Sequence, residues 1–510
     1  MPPEWPANPD FWGPDHFHNS GDSMQDQPPV LDGQSPVSDQ TTVKQGTPIS
    51  WREEIAATLA LAWPLVLAQL AQFSLQITDV IMMGWLGREA LAAGSLAAAL
   101  LHPVVVFGIG ALSAVSPMVA QAIGAKDYTS VRRSARQGIW VAFVISILIM
   151  ILLYQSQHIY ALGGQMPGLS AEAARYLNFA AIGVFPSLGF VALRSVVTAH
   201  SETRIILVTT IASFFVNFAG NYLLMFGKFG FPALGLAGAG ISTSVVQTFV
   251  FIFLALYVVF KKSYRKYDLL ARFWKPDWPR FFELFRIGIP IGLMVMVEVG
   301  LFAAAVFLMG WIGTDALAAH TVAVQLASLA FMVPLGLSQA TTVRTGLAYG
   351  ARCLEGIHRA GWVSVLISAL FNSISCASFL LFPHFLVGLY LDPTVAANSV
   401  PFALAVSYLA YAGLFQLVDG LQATMAGALR GLSDTNVPML IAIVGYWVCG
   451  LPISYFCGFI LGWEGEGIWL GLASGLAITA ASLTYRFVNR ERLGLVKFSN
   501  RVVLEVPELS

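Results

Sequence analysis

Twelve runs of about 20 predominantly apolar residues, set apart by short polar stretches, occupy residues 54 to 488, and they constrain the fold more than any other feature. A chain crossing a bilayer must satisfy its backbone N–H and C=O groups within itself, so runs of this length are read as helices. They are expected near 54–84, 89–123, 134–155, 172–197, 203–227, 235–260, 282–311, 315–348, 358–384, 398–429, 434–460 and 466–488. The chain is 57% hydrophobic and only 11% charged, which is outside the soluble range. The fold class is therefore an all-α polytopic membrane protein.

Charge placement orients it. With the N-terminus inside, inner segments hold 25 of the 28 Lys and Arg, among them KKSYRK at 261–266 and VRRSAR at 131–136; only Arg88, Arg175 and Lys228 fall outside. This predicts a multi-pass protein of the cytoplasmic (inner) membrane with both termini cytoplasmic. Acids match bases in number, which argues against a nucleic-acid partner. Residues 1–50, with nine Pro and six Asp, read as a disordered cytoplasmic tail without a signal peptide, and translation starting at Met24 is a hypothesis. The N-lobe is then 51–260, a cytoplasmic linker 261–281, the C-lobe 282–490 and a cytoplasmic tail 491–510. Cys353, Cys376, Cys449 and Cys457 form no CxxC and suggest neither a disulfide framework nor zinc.

The lobes repeat one sequence. MGWLGREALAA at 83–93 returns as MGWIGTDALAA at 309–319, and the same offset of 226 lays Pro64 on Pro290, Gly124-Ala125 on Gly350-Ala351 and Arg133 on Arg359. Further on, Ser201-Glu202-Thr203 matches Ser433-Asp434-Thr435. Six helices per copy insert both copies the same way up, giving two six-helix lobes related by a parallel internal repeat. Pro64 and Pro290 each remove a backbone bond inside a span and are candidate hinges, the alternative being static kinks.

Three carboxylates lie deep in spans: Asp79 in the first, Glu298 in the seventh and Asp419 in the tenth. A charge at mid-bilayer costs about 2.5–3.5 kcal/mol on insertion scales, so such groups are functional candidates by default. No Lys or Arg is expected beside them, which leaves protons, metal ions or a cationic substrate as counter-charges. The repeat sharpens the point: Glu298 falls on Gln72, Asp79 on Ala305 and, with an offset of 232, Asp419 on Ser187. The scaffold was copied and the acids were not. Gln69 and Gln72 precede Asp79 on its helix, and Asn217 and Asn221 share one face of the fifth, a set of hard oxygens suited to Na+ as well as H+. His102 and His320 head the second and eighth spans and are expected to be satisfied histidines; Trp85 and Trp311 read as interface anchors.

The runs WPLVLAQLAQFSLQITDVIMMGWLG, SPMVAQAIGAKD, NFAGNYLLMFGKFGFPALGLAGAGIST, PIGLMVMVEVGLF and FQLVDGLQATMAGALRGLSDTNVPM, in this order over about residues 50–490, resemble the norM-type branch of the MATE (multidrug and toxic compound extrusion) transporters. The resemblance implies a V-shaped cleft between the lobes and export of organic, often cationic, small molecules in exchange for Na+ or H+. By the same resemblance Asp79 corresponds to a first-helix acid tied to ion coupling, and Glu298 and Asp419 to a second-lobe pair that coordinates the cation, Na+ if sodium-coupled. Phe415 is a cleft aromatic standing where this branch is expected to carry Tyr, so an aromatic hydroxyl is missing there. The expectation is a secondary antiporter working by alternating access, not an enzyme, without a cofactor beyond the coupling ion, and monomeric. The competing expectation is a dedicated exporter of one metabolite, siderophore or lipid-linked compound on the same fold. An intramembrane aspartyl protease would need a GxGD motif, and Asp419 follows QLV instead.

Overall fold

The computed structural model describes residues 49–267, 274–275, 277–496 and 498. The tail 1–48, with the Met24 hypothesis, and linker residues 268–273 and 276 lie outside the described residues. All twelve expected spans are present: α1 Trp51–Leu86, α2 Arg88–Gly124, α3 Tyr128–Tyr154, α4 Pro167–Ala199, α5 Thr203–Phe226, α6 Leu236–Phe260, α7 Trp278–Ile312, α8 Thr314–Gly350, α9 Leu354–Leu381, α10 Ala396–Gly431, α11 Asn436–Ile460 and α12 Glu464–Val488. Four, α3, α4, α7 and α9, begin a turn or more earlier than the apolar runs; α3 and α9 are capped there by Asp127 and Cys353, and α4 and α7 start at a Pro in the first turn. At α1, Ser50 accepts from the Glu53 N–H at 3.3 Å while Glu53 accepts from the Ser50 N–H at 2.7 Å, a reciprocal cap that starts the helix before its apolar face does.

The repeat is visible in the backbone. Two non-glycine residues held at positive φ, Lys126 (57°) and Ser201 (61°), have their mates in Arg352 (55°) and Ser433 (60°), each closing the same helix end in the other lobe. Both lie in the loops at the end of the bundle where Lys and Arg collect, here called the basic end.

The lobes join through that end. Core residues of the N-lobe pack with Leu284, Ile287 and Ile291 of α7 and with Leu337, Ala340, Val343 and Leu347 of α8, whereas the far halves of these helices (Leu301, Leu308, Ala319, Ala323) belong to the separate C-lobe core. The seam is two-fold. A Cβ on Gly350 would come within 2.0 Å of the Gln121 carbonyl oxygen, and one on its mate Gly124 within 2.2 Å of the Leu347 carbonyl oxygen, so only glycine permits either crossing. Deeper in, α2 meets α7 at Gly110 and Gly292, and α8 meets α1 at the mated Gly336 and Val66. Pro64 and Pro290 sit inside unbroken helices, buried at these two crossings. The candidate hinges thus lie against the opposite lobe.

Polar groups lock the seam differently on the two sides of the pseudo-axis. Arg344 of α8 grips Glu54 of α1 with two hydrogen bonds, 2.8 Å from Nε and 2.5 Å from Nη2, and Glu54 is 2% exposed. Their mates are Arg280, which pairs with nearby Glu283 and donates to Ser130 Oγ of α3 at 3.0 Å, and Met118. Gln121 donates to the Gly431 carbonyl at 2.8 Å and to Ser433 Oγ at 2.9 Å. Arg133 holds Asp277, just before α7, with bonds of 2.5 and 3.0 Å, and this guanidinium keeps the Asp277 carboxyl below the usual carboxylate range. Beyond α12, Phe498 folds back with its ring 5.5 Å from that of Tyr349, so the start of the 491–510 tail packs on the C-lobe.

Candidate ion and substrate sites

The C-lobe brings Glu298 and Asp419 together. Helices α7 and α10 run antiparallel, and Phe302, four residues after Glu298, meets Phe415, four residues before Asp419, with ring centroids 5.9 Å apart. One turn below that contact Asp419 lies within electrostatic range of Glu298. Asp419 is 6% exposed and its Oδ1 has no hydrogen-bond partner. Among the described residues no group of three His, Cys, Asp or Glu could hold a metal ion, so neutral oxygens would have to complete any shell around this pair.

A helix irregularity lies beside this pair. In α11 the residues Val444–Gly450 form a π-helical turn, a device that inserts an extra residue and re-aims its neighbours, often at functional sites. Trp447 on that turn donates its indole N–H to the Val297 carbonyl at 3.1 Å, pinning it beside Glu298. Tyr446, next to it, is fully buried with its hydroxyl unpartnered, within electrostatic range of both Glu298 and Asp419. The sequence signal was there, a tyrosine flanked by Gly in the apolar AIVGYWVCG, although the extra residue that aims it could not be read from periodicity.

Two expectations need correcting here. Phe415 does not line an open cleft: it is 2% exposed, edge-on to Phe302 and to Trp469, because α10 buries this face inside its own lobe. His320 is buried against Trp469 with neither ring nitrogen hydrogen-bonded, so it is not a satisfied histidine. A third correction concerns counter-charges. Arg430, at the end of α10, acts electrostatically on Glu298, and Arg194 of α4 lies at the seam, donating to Gln69 of α1 at 3.1 Å and to Gln339 of α8. Both stand near span ends in the sequence, but tilted helices and long side chains carry their guanidinium groups inward.

The N-lobe site is built differently. Asn221 donates to Asp79 Oδ1 at 2.6 Å and lies 3.3 Å from Asn217 Oδ1, and both asparagines are 1% exposed. Tyr176 of α4 lies within electrostatic range of Asp79, a neighbour the sequence did not single out. Gln72 is exposed and takes no part in these bonds, so of the two glutamines and two asparagines expected around Asp79 the structure gathers only the asparagines.

The family model named MatE matches residues 64–223 and again 290–456, two copies that open on Pro64 and Pro290. This chain belongs to the MatE family. MatE proteins are membrane transporters, not enzymes, and the double match places one copy in each lobe. Relatives include a probable multidrug resistance protein NorM of Mesorhizobium japonicum, 46% identical over 87% of this chain and 95% of its own length. Another is the NorM of Agrobacterium fabrum, 45% identical over 86% and 94%. Among solved structures, the eukaryotic MATE transporter AtDTX14 superposes with a TM-score of 0.77 over 88% of this chain and 99% of its own, at 22% identity. An outward-facing multidrug resistance MATE transporter gives 0.77 over 88% and 97% at 19% identity. The fold of this MatE protein is theirs.

Proposed function

We propose that this MatE protein exports organic, chiefly cationic small molecules of varied structure across the cytoplasmic membrane, driven by inward flow of Na+ or H+. The observation that carries the reading is the meeting of Glu298 and Asp419, far apart in sequence and absent from the other copy, on facing helices of one lobe. Intramembrane acids placed this way mark an ion or substrate path. A coupling ion and a cationic substrate both need these carboxylates and Asp79, so binding of one weakens binding of the other, the requirement of an exchanger. With the basic end cytoplasmic, a seam closed there is what an outward-facing state requires, and rocking about the crossings at Pro64 and Pro290 would give alternating access.

The test is efflux of an organic cation from proteoliposomes, driven separately by a Na+ jump and a pH jump, in the wild type, Glu298→Gln and Asp419→Asn. Loss of gradient-driven efflux in both variants is expected; full efflux in both sinks the assignment. A panel of chemically unrelated cations separates broad export from a dedicated single-compound exporter, which would move one of them.

A further inference from the structure

On one side of the pseudo-axis the seam is filled by the Arg344–Glu54 pair, whose acid is 2% exposed. At the mated positions stand Met118 and Arg280, and there a cavity of about 480 Å3 remains at the basic end. Its walls come from both lobes: Gln121 and Asp127 on one side, and Arg280, Glu283 and Arg352 on the other, with Phe498 closing it. Most of these charges are already engaged. Arg280 pairs with Glu283 and bonds Ser130 Oγ, while Asp127 accepts from the Ser130 N–H and hydroxyl. Arg352 is exposed, held at a φ of 55° by the turn after α8, and makes no ion pair among the described residues. One cation of the wall is left over.

The chain itself leads to this cavity. After α12, Gly494 takes a φ of 68°, the left-handed conformation that glycine permits, and the Leu495 N–H bonds back to the Arg490 carbonyl at 2.9 Å. Leu495, Val496 and Phe498 then pack with the C-lobe core, and Phe498 forms part of the cavity wall. Twelve residues follow, SNRVVLEVPELS, and they begin at that wall. Their composition is unlike that of the Pro- and Asp-rich residues 1–50: Val502, Val503, Leu504, Val506 and Leu509 are apolar, which a segment left in water has no use for. Two acids, Glu505 and Glu508, stand against one base, Arg501, a net negative charge to meet the spare Arg352. Reach is ample, since the seven residues from Phe498 to Glu505 span up to about 25 Å when extended. The cavity has the volume that drug-sized ligands fill, so it holds a few residues of extended chain. We infer that residues 499–510 dock in this cavity, with Val502–Val506 against its apolar wall and Glu505 on Arg352. Because the walls belong to both lobes, the docked tail is a strap across the seam: it binds the state in which the basic end is closed and not one in which the lobes part there. Docking rests on the cavity and the path of the chain; its effect on export rests on the alternating-access reading above.

The experiment uses the full chain in proteoliposomes. Ala125→Cys, on the exposed N-lobe wall of the cavity, is combined with Leu504→Cys in the tail, and the disulfide formed on mild oxidation is measured by mass spectrometry of the digested protein. A 125–504 disulfide is expected. Its yield should fall about fivefold in Arg352→Glu, as loss of one exposed ion pair implies, and return when Glu505→Arg is added. No disulfide, or a yield indifferent to Arg352→Glu, overturns the docking. The strap is read separately, from spin labels at positions 204 and 436, mated and exposed at the basic end. A chain ending after Phe498 should shift their distance distribution toward longer values, and an unchanged distribution with the disulfide intact overturns the strap. Full gradient-driven efflux in Glu298→Gln and Asp419→Asn would remove the exchanger reading alone, since neither the disulfide nor its dependence on Arg352 requires it.

Discussion

The two lobes are copies of one scaffold that treat their buried acids in opposite ways. In the N-lobe Asp79 is bonded by the Asn221 amide, itself beside Asn217, a neutral setting that satisfies the carboxylate from within. In the C-lobe Asp419 lies within electrostatic range of Glu298, and Asp419 Oδ1 and the Tyr446 hydroxyl have no protein partner. Duplication therefore fixed where helices cross, and later divergence decided what each lobe binds. The seam shows the same split, with mated glycine contacts on both sides of the pseudo-axis but the bidentate Arg344–Glu54 pair replaced, at the mated positions, by Met118 and by Arg280 bonded to Ser130.

The largest effect is expected at that ion pair. Removing one partner of a buried pair costs about 3–5 kcal/mol, so Glu54→Gln should free the basic end. Spin labels at the mated, exposed positions 126 and 352 would then report longer distances; an unchanged distribution would mean that the glycine crossings alone hold the seam. Next come Glu298→Gln and Asp419→Asn. Each removes a charged contact worth about 1.5–3 kcal/mol, which weakens the coupling cation about 10- to 150-fold, read as the half-saturating concentration of whichever ion, Na+ or H+, drives efflux. Asp79→Asn should shift that concentration clearly less, because amides already bond the group; an equal shift would break the contrast between the lobes.

Smaller effects test the difference between the two sides. Arg280 is the mate of Glu54, but its pair with Glu283 and its bond to Ser130 are partly exposed, so Arg280→Gln should cost less than about 1 kcal/mol in thermal stability. The least is expected of Asp277→Asn. Arg133 depresses the Asp277 carboxyl, so its contribution is present above the ordinary carboxylate pKa and fades as pH falls through the depressed one. Wild type and variant should thus melt alike in acid and differ slightly at neutral pH.

Span number, the parallel repeat and the three deep acids were legible in the sequence because each is carried by local pattern or by self-comparison. Glu298 and Asp419 could be named as partners, since the repeat exposed them as additions to one copy. Gln72 misled, because lying on the same helical stripe as Asp79 does not fix which way a tilted helix turns that stripe. Phe415 misled for a related reason: an aromatic residue in a span faces either the space between lobes or its own lobe's core, and periodicity describes both alike. Arg194 and Arg430 escaped notice because depth was judged from sequence position, whereas a long side chain ends well away from its own Cα.

The sequence by itself determined that this chain crosses a membrane twelve times as two like-oriented lobes with three acids inside the spans, since apolar length and duplication are properties of the chain. Only the tertiary structure decided which polar atoms meet. The π-helical turn that aims Tyr446, the grip of Arg344 on Glu54 across 290 residues and the burial of both prolines at lobe crossings all depend on packing between distant segments, which no local pattern encodes.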